Sequence, residues 1–316
     1  MLLEESEFKE RRNKLIDHLD SIYERAYAFD NSFLDPATYD RLKIRCETLD
    51  LSDNGEYDNG IPIPNFFIPF SLETLTKHHI ITLDDEDRRN YEAYEDIPDR
   101  TTARDGSQAL SYRLMWHFRS FHRNGITDPR GRLMDISVWR EAQFPEFIQE
   151  YFLDGVFYQR GYTPVGNAWW TAKSTPLPHL MCILEIYGFG SAEELHCGEI
   201  LTILATTITR LELDDYQDEV VIPVLLFSIM SDYKGRIIQA YFNGDELVIR
   251  KSKLYDFSTR ETLSSSTTLF MQWMASTPVG DTSGFALEDF VPFEEGDNTE
   301  SSIKEGGETK NTACAT

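Results

Sequence analysis

The chain has 316 residues, 41% of them apolar, and carries 54 acidic against 30 basic side chains, a formal charge of -24. That surplus excludes a general nucleic-acid binder, which displaces counterions with a basic face, and docking on an anionic membrane. No run of about 18 apolar residues predicts a membrane span, and the acidic start predicts no secretory leader, so a cytoplasmic protein with a sizeable core is expected.

Phe8, Leu15, Leu19, Ile22, Tyr23, Ala26 and Tyr27 recur at three- and four-residue steps and predict a first amphipathic helix. Asp35-Pro36 reads as an N-cap with proline at the first helical position. A short second helix is expected through Tyr39, Leu42, Cys46 and Leu49. Three prolines make residues 61–70 extended. The acidic run 84–99 reads as a solvated loop or helix face, without calcium-loop spacing. Leu110, Leu114, Trp116, Phe118 and Phe121 supply the apolar content of a helix over 107–122, and another is expected near Pro145.

Residues after Gly161 read as a loop carrying Trp169 and Trp170, followed by an apolar run, 179–187, that fits a buried strand or a short helix. Ser191 and Glu194 match a capping box and predict a helix from there to about Leu211. Residues 220–230 form an apolar strand, 236–242 a second and 246–250 a third, with Asn243-Gly244 as the hairpin signal. Ser258 and Glu261 predict the start of a last helix. Residues 281–316 carry nine acidic against two basic side chains and, from Gly296 onward, almost nothing apolar, which predicts a disordered acidic tail. The expected fold is therefore α+β: a mostly helical region over 1–155, a helix, three-stranded antiparallel sheet and helix over 156–280, and a tail over 281–316.

Residues 222–228 (IPVLLFS), 236–242 (RIIQAYF) and 254–257 (LYDF) resemble a family of uncharacterised proteins from filamentous fungi. The resemblance covers roughly residues 160–280. It implies a fungal source and a shared module and carries no catalytic residues with it. The helix-then-strands order is also faintly similar to the last elements of the restriction-endonuclease-like fold, but the Glu-x-Lys of that fold's metal site is absent: Glu185 is followed by Ile186 and Tyr187.

Four separated cysteines, none in a CxxC, are expected as free thiols. His179 with Cys182, and His196 with Cys197, have zinc-ligand chemistry, but neighbours on one helix diverge by about 100°, so no metal and no cofactor is expected. Cys197 in a helix's first turn is a candidate nucleophile, opposed by the acidic residues around it. Arg236 stands on a strand face among mostly apolar neighbours and is expected either to snorkel to solvent or to pair with a carboxylate, Glu185 or Glu199. Lys234, Arg236, Arg250, Lys251, Lys253 and Arg260, against Asp245, Glu246 and Asp256, form a local basic patch that could hold a small anion, a phosphate or the chain's own acidic tail, with Arg236, Arg250, Lys251 and Lys253 as the candidate ligands; a solvated strand edge guarded by Lys and Arg is the plainer reading. The leading expectation is a non-catalytic binding or interaction protein, its partner a protein or a small anionic ligand. The alternative is a hydrolase or degenerate nuclease-like phosphodiesterase, which requires Glu185, Glu199 and Arg236 to converge on one concave site.

Overall fold

Apolar spacing decides most of the elements in the computed structural model, which describes residues 2–29, 31–95, 103–127, 130–153, 156, 165–173 and 177–284. Helix α1 (Leu2–Tyr27) buries Leu15, Leu19, Ile22, Tyr23 and Ala26 along one stripe. After β1 (Phe33–Leu34), Asp35 caps α2 (Pro36–Arg41), its carboxylate accepting from the Thr38 amide at 2.8 Å. The helix expected through Cys46 and Leu49 does not form. Lys43 turns into the left-handed region at φ 53°, and the chain runs on as β2 (Ile44–Thr48). The reason is tertiary: β2 finds a parallel partner about 200 residues away, and ladder pairing outweighs a weak local helical pattern.

The extended stretch over 61–70 ends in β3 (Phe67–Ile68). Then come α3 (Leu72–Lys77), α4 (Asp85–Glu95), which is the solvated helix of the acidic run, and α5 (Ala103–Arg119). Short elements follow: α6 (Leu133–Ile136), β4 (Trp139–Glu141) and α7 (Phe144–Phe147). The expected aromatic loop is instead β5 (Val165–Ala172), antiparallel to β6 (Leu180–Ile186) and paired through Trp169 and Trp170. After β7 (Leu195–His196) comes α8 (Cys197–Glu212). The strands β8 (Val224–Met230), β9 (Lys234–Phe242), β10 (Leu247–Lys251) and β11 (Tyr255–Asp256) precede α9 (Arg260–Met274) and β12 (Thr277–Pro278).

The expected three-stranded sheet is the antiparallel centre of something larger. One mixed sheet runs in the order β2-β10-β9-β8-β6-β5-β4, with β11 paired to the start of β9. Strands from both sides of residue 155 therefore share it. β6 and β8 are parallel and joined through α8; β2 and β10 are parallel; the other pairs are antiparallel. Every residue of β6 and β8 is buried, as expected of strands covered on both faces. Helix α8 packs on one face with α1 over it, and α5 and α9 pack on the other. Gly106 lets α5 approach closely: a Cβ there would stand 2.6 Å from the Ser231 carbonyl oxygen.

Two expected helix starts are displaced. Ser191 and Glu194 do make their reciprocal contact, the Glu194 amide donating to Ser191 Oγ at 3.2 Å, but it closes a turn. The working cap of α8 is His196, whose Nδ1 accepts from the Gly198 amide at 3.1 Å while Glu199 accepts from the His196 amide at 2.8 Å. Likewise Thr259, one residue past Ser258, caps α9. The first residues of the expected tail are built into the body: the Thr282 carbonyl accepts from the amides of Val220 and Val221 at 3.1 and 3.0 Å. The rest of that tail, 285–316, lies outside the described residues.

Candidate functional site

The residues singled out by sequence fall into separate places. Arg236 and Ser228 are partners across the β9–β8 ladder and face α8. Glu185, partnered with Ile229, has the opposite parity and lies on the α5 side of the sheet. Of the two proposed partners, Arg236 takes Glu199. Its Nε donates to Oε1 at 2.8 Å and its Nη2 to Oε2, and both side chains are fully buried. Arg236 Nη1 also donates to the carbonyls of Ser191 and Glu194, each at 3.0 Å. Burial opposes ionisation of Glu199, yet the charge and hydrogen bonds of Arg236 outweigh it and hold the carboxyl below its ordinary range. Glu185 lies on the opposite face of the sheet from the Arg236–Glu199 pair, so the three residues do not converge on one site.

The expected basic patch is spent within the protein. Arg250 donates to Glu47 at 2.9 Å and to the Pro64 carbonyl at 2.6 Å, and stacks 5.3 Å over Tyr241. Lys251 donates to the carbonyls of Ala192 and Glu193. Lys253 is exposed and sits 5.4 Å above the Tyr255 ring. Three of the four candidate anion ligands, Arg236 included, therefore anchor loops to the sheet.

Cys197 lies buried under α1, its thiol directed to the Ala26 carbonyl, and burial pushes it up to about 12. The helix-dipole argument for a reactive thiolate loses to desolvation here. Cys182 is raised by burial as well. Alkylation of the native protein followed by peptide mapping should leave Cys182 and Cys197 unmodified until the chain is unfolded. Labelling of Cys197 in the folded state at the rate of a free thiol would restore the nucleophile reading. Among the described residues, no three His, Cys, Asp or Glu side chains gather as a metal site.

A site that sequence reasoning missed lies on the opposite side of the sheet from the Arg236–Glu199 pair. Helix α5 buries Leu110, Leu114 and Phe118; Arg113 and His117 flank that stripe at i+3 and i+7 from Leu110. Both are buried, at 4% and 6% exposure. Arg113 Nε donates to Thr267 Oγ1 on α9 at 2.9 Å and ties the two helices together. Arg123 follows on the segment after α5. Its Nη2 donates to the His117 carbonyl at 2.8 Å, in the last turn of α5 where a cation complements the helix dipole. Its Nη1 reaches the His78 carbonyl at 3.2 Å.

Between α3, α4, α5 and α9 these side chains line a cavity of about 280 Å³. Leu75, Ile80, Tyr91 and Met271 form its apolar parts; Ser264, Thr267 and Thr268 stand along one face of α9. None of the described lining residues is Asp or Glu. Arg123 is 6% exposed, its Nε has no hydrogen-bond partner, and it forms no ion pair among the described residues. Burial lowers it to about 10, only partly offset by Tyr91, so the guanidinium remains charged at neutral pH. A buried cation with no counter-charge among the described residues is costly to hold, and Arg123 on this wall, in a chain of charge -24, marks a place where an anion lowers the free energy.

Comparison with known protein families, with curated proteins and with solved structures finds no match to this chain.

Proposed function

We propose that this is a binding protein, without chemistry of its own, that takes a small anion into the cavity between α3, α5 and α9. The observation that carries the reading is Arg123: a guanidinium almost wholly buried, with no carboxylate partner among the described residues, on a cavity whose described lining has no acidic residue. The chain's charge acts against long-range capture of anions, so the favourable interaction must be local. The same proposal puts the protein in a fungal cytosol. It draws on the resemblance of residues 160–280 and on the three free thiols Cys46, Cys182 and Cys197. No described helix is long and apolar enough to cross a membrane.

The test is thermal unfolding in phosphate or sulfate against chloride at matched ionic strength. A ligand at 100 times its Kd stabilises by about 2.7 kcal/mol. The shift in Tm should be larger for wild type than for Arg123→Gln, which keeps donors for the His78 and His117 carbonyls and removes the charge. Equal responses in the two proteins would reduce the effect to general salting-out and overturn the proposal.

A further inference from the structure

One edge of the large sheet is open. β2 is the outermost strand, at the end opposite β4, and it pairs on one side with β10. In that parallel ladder the Leu247 amide donates to the Lys43 carbonyl at 2.9 Å and the Leu49 amide to the Lys251 carbonyl at 2.8 Å. The odd-numbered residues from Lys43 to Leu49 therefore turn their backbone polar groups towards β10. Alternation turns those of Ile44, Cys46 and Thr48 outward, where they meet no hydrogen-bond partner among the described residues. A row of unpaired amides and carbonyls of this kind is a template for another strand.

The side chains of β2 select the partner. Arg45 and Glu47 stand on one face of the strand, 45% and 36% exposed, and touch each other at 3.1 Å. Two antiparallel copies of β2 must match outward residue to outward residue, so their register moves in steps of two. Setting Ile44 opposite Cys46 places Arg45 against Arg45, and setting Cys46 opposite Thr48 places Glu47 against Glu47. The register centred on Cys46 instead sets Arg45 against Glu47 twice, directly opposite and on the same face, where unlike charges stabilise a strand pair. It also uses the whole strand, each copy donating the amides of Ile44, Cys46 and Thr48 to the other. The like charge of two chains, -24 each, opposes association, but at physiological ionic strength it is screened beyond about 8 Å. The charges beside the edge are Lys43, Arg45, Arg250 and Lys251 against Glu47 and Glu246, so the acidic surplus lies elsewhere. We propose that the protein forms a two-fold homodimer in which the β2 edges of two copies join antiparallel about Cys46 and make one sheet continuous across both chains.

Sedimentation equilibrium of the full chain at physiological ionic strength tests this. The mass should rise from 36.6 kDa towards twice that value as concentration increases, and amide exchange at residues 44, 46 and 48 should slow over the same range. Arg45→Glu should weaken the dimer on the order of tenfold or more, because both cross-strand pairs turn from attraction to repulsion. Glu47→Lys should do the same. A mixture of these two variants should form a heterodimer more tightly than either associates with itself, since unlike charges again face each other; damage to the fold would not be repaired by mixing. Cys46→Pro removes an outward amide and no β2–β10 hydrogen bond, and should abolish the dimer. A single-chain mass at every concentration, with exchange at residues 44, 46 and 48 unchanged, would overturn the proposal and leave a strand of another protein as the occupant of this edge. A dimer that neither Cys46→Pro nor the charge variants weaken would place the contact elsewhere and overturn it as well. None of the described residues lining the anion cavity lies on β2, so these outcomes leave the anion-binding reading untouched.

Discussion

Arg236→Ala is expected to lower the free energy of unfolding by about 3–5 kcal/mol, the cost of leaving a buried charge uncompensated. Arg236 spans the sheet and the start of α8: it meets Glu199 through two nitrogens and holds the Ser191 and Glu194 carbonyls with a third. Glu199 is at the same time half of the cap that starts α8, through the His196 amide. Truncating the arginine removes the counter-charge and leaves two loop carbonyls without their donor. Urea unfolding at pH 7 measures the loss, and Arg250→Ala is the comparison, since its carboxylate partner Glu47 is about one-third exposed and can be solvated instead.

The pH dependence of the variant separates this account from simple loss of packing. In the wild type, Glu199 is held below its ordinary range, so its contribution is present above the unfolded pKa and is lost as pH falls. Without Arg236, burial dominates and the carboxyl moves above its ordinary range. It then prefers to be protonated, and its penalty grows as pH rises. The gap between wild type and Arg236→Ala should therefore narrow on acidification, and Arg236→Met with Glu199→Leu should be more stable than Arg236→Ala alone. A deficit under 1 kcal/mol, constant with pH, would show that the pair contributes little to holding the fold.

The pair was legible in part because strand alternation is a strict rule: Arg236 shares its face with Ile238 and Phe242, where a cation either reaches solvent or finds a carboxylate, and packing chose Glu199 over solvent and Glu185. The central strands were legible for similar reasons, a continuous apolar run for β8 and Asn-Gly for the β9–β10 hairpin, where Gly244 takes φ 102°. β2 was misread because Tyr39, Leu42, Cys46 and Leu49 follow helical steps, and what makes it a strand is β10, far along the chain. β5 was read as a loop because glycine and prolines surround its tryptophans, while pairing with β6 decides otherwise. The cavity left a fainter trace. Leu110, Arg113, Leu114, His117 and Phe118 share one face of α5, and two basic residues within a core-facing stripe are the signal that could have found it. Arg123 had none, since its burial depends on packing against α3 and α4 segments that sequence spacing does not bring together.

Acid should destabilise the protein in a window set by its histidines, above the range where carboxylates titrate. His18, His179 and His196 are each pushed down to about 4, chiefly by burial. For two of them the geometry explains why protonation is resisted. His179 Nε2 donates to the Val279 carbonyl at 2.9 Å, and a proton added at Nδ1 would face no acceptor among the described residues. His196 Nδ1 accepts from the Gly198 amide, so protonating it sets two donors against each other and breaks the cap of α8. Because the folded pKa lies below the ordinary 6.5, the stability from each neutral imidazole is complete above pH 6.5 and is lost as pH falls towards 4. A displacement of that size corresponds to roughly 3 kcal/mol per group, so the three together suffice to unfold a domain of ordinary stability before pH 4. Asp256 is held at about 2, so its loss comes lower and does not overlap. Chemical unfolding from pH 7.5 to 4 should show stability falling steeply below pH 6.5, and His179→Gln, which keeps a donor for Val279 and cannot titrate, should flatten the slope by about one proton. A profile flat down to pH 4 would mean that the protonated imidazoles reach water, and that their burial does not govern acid stability.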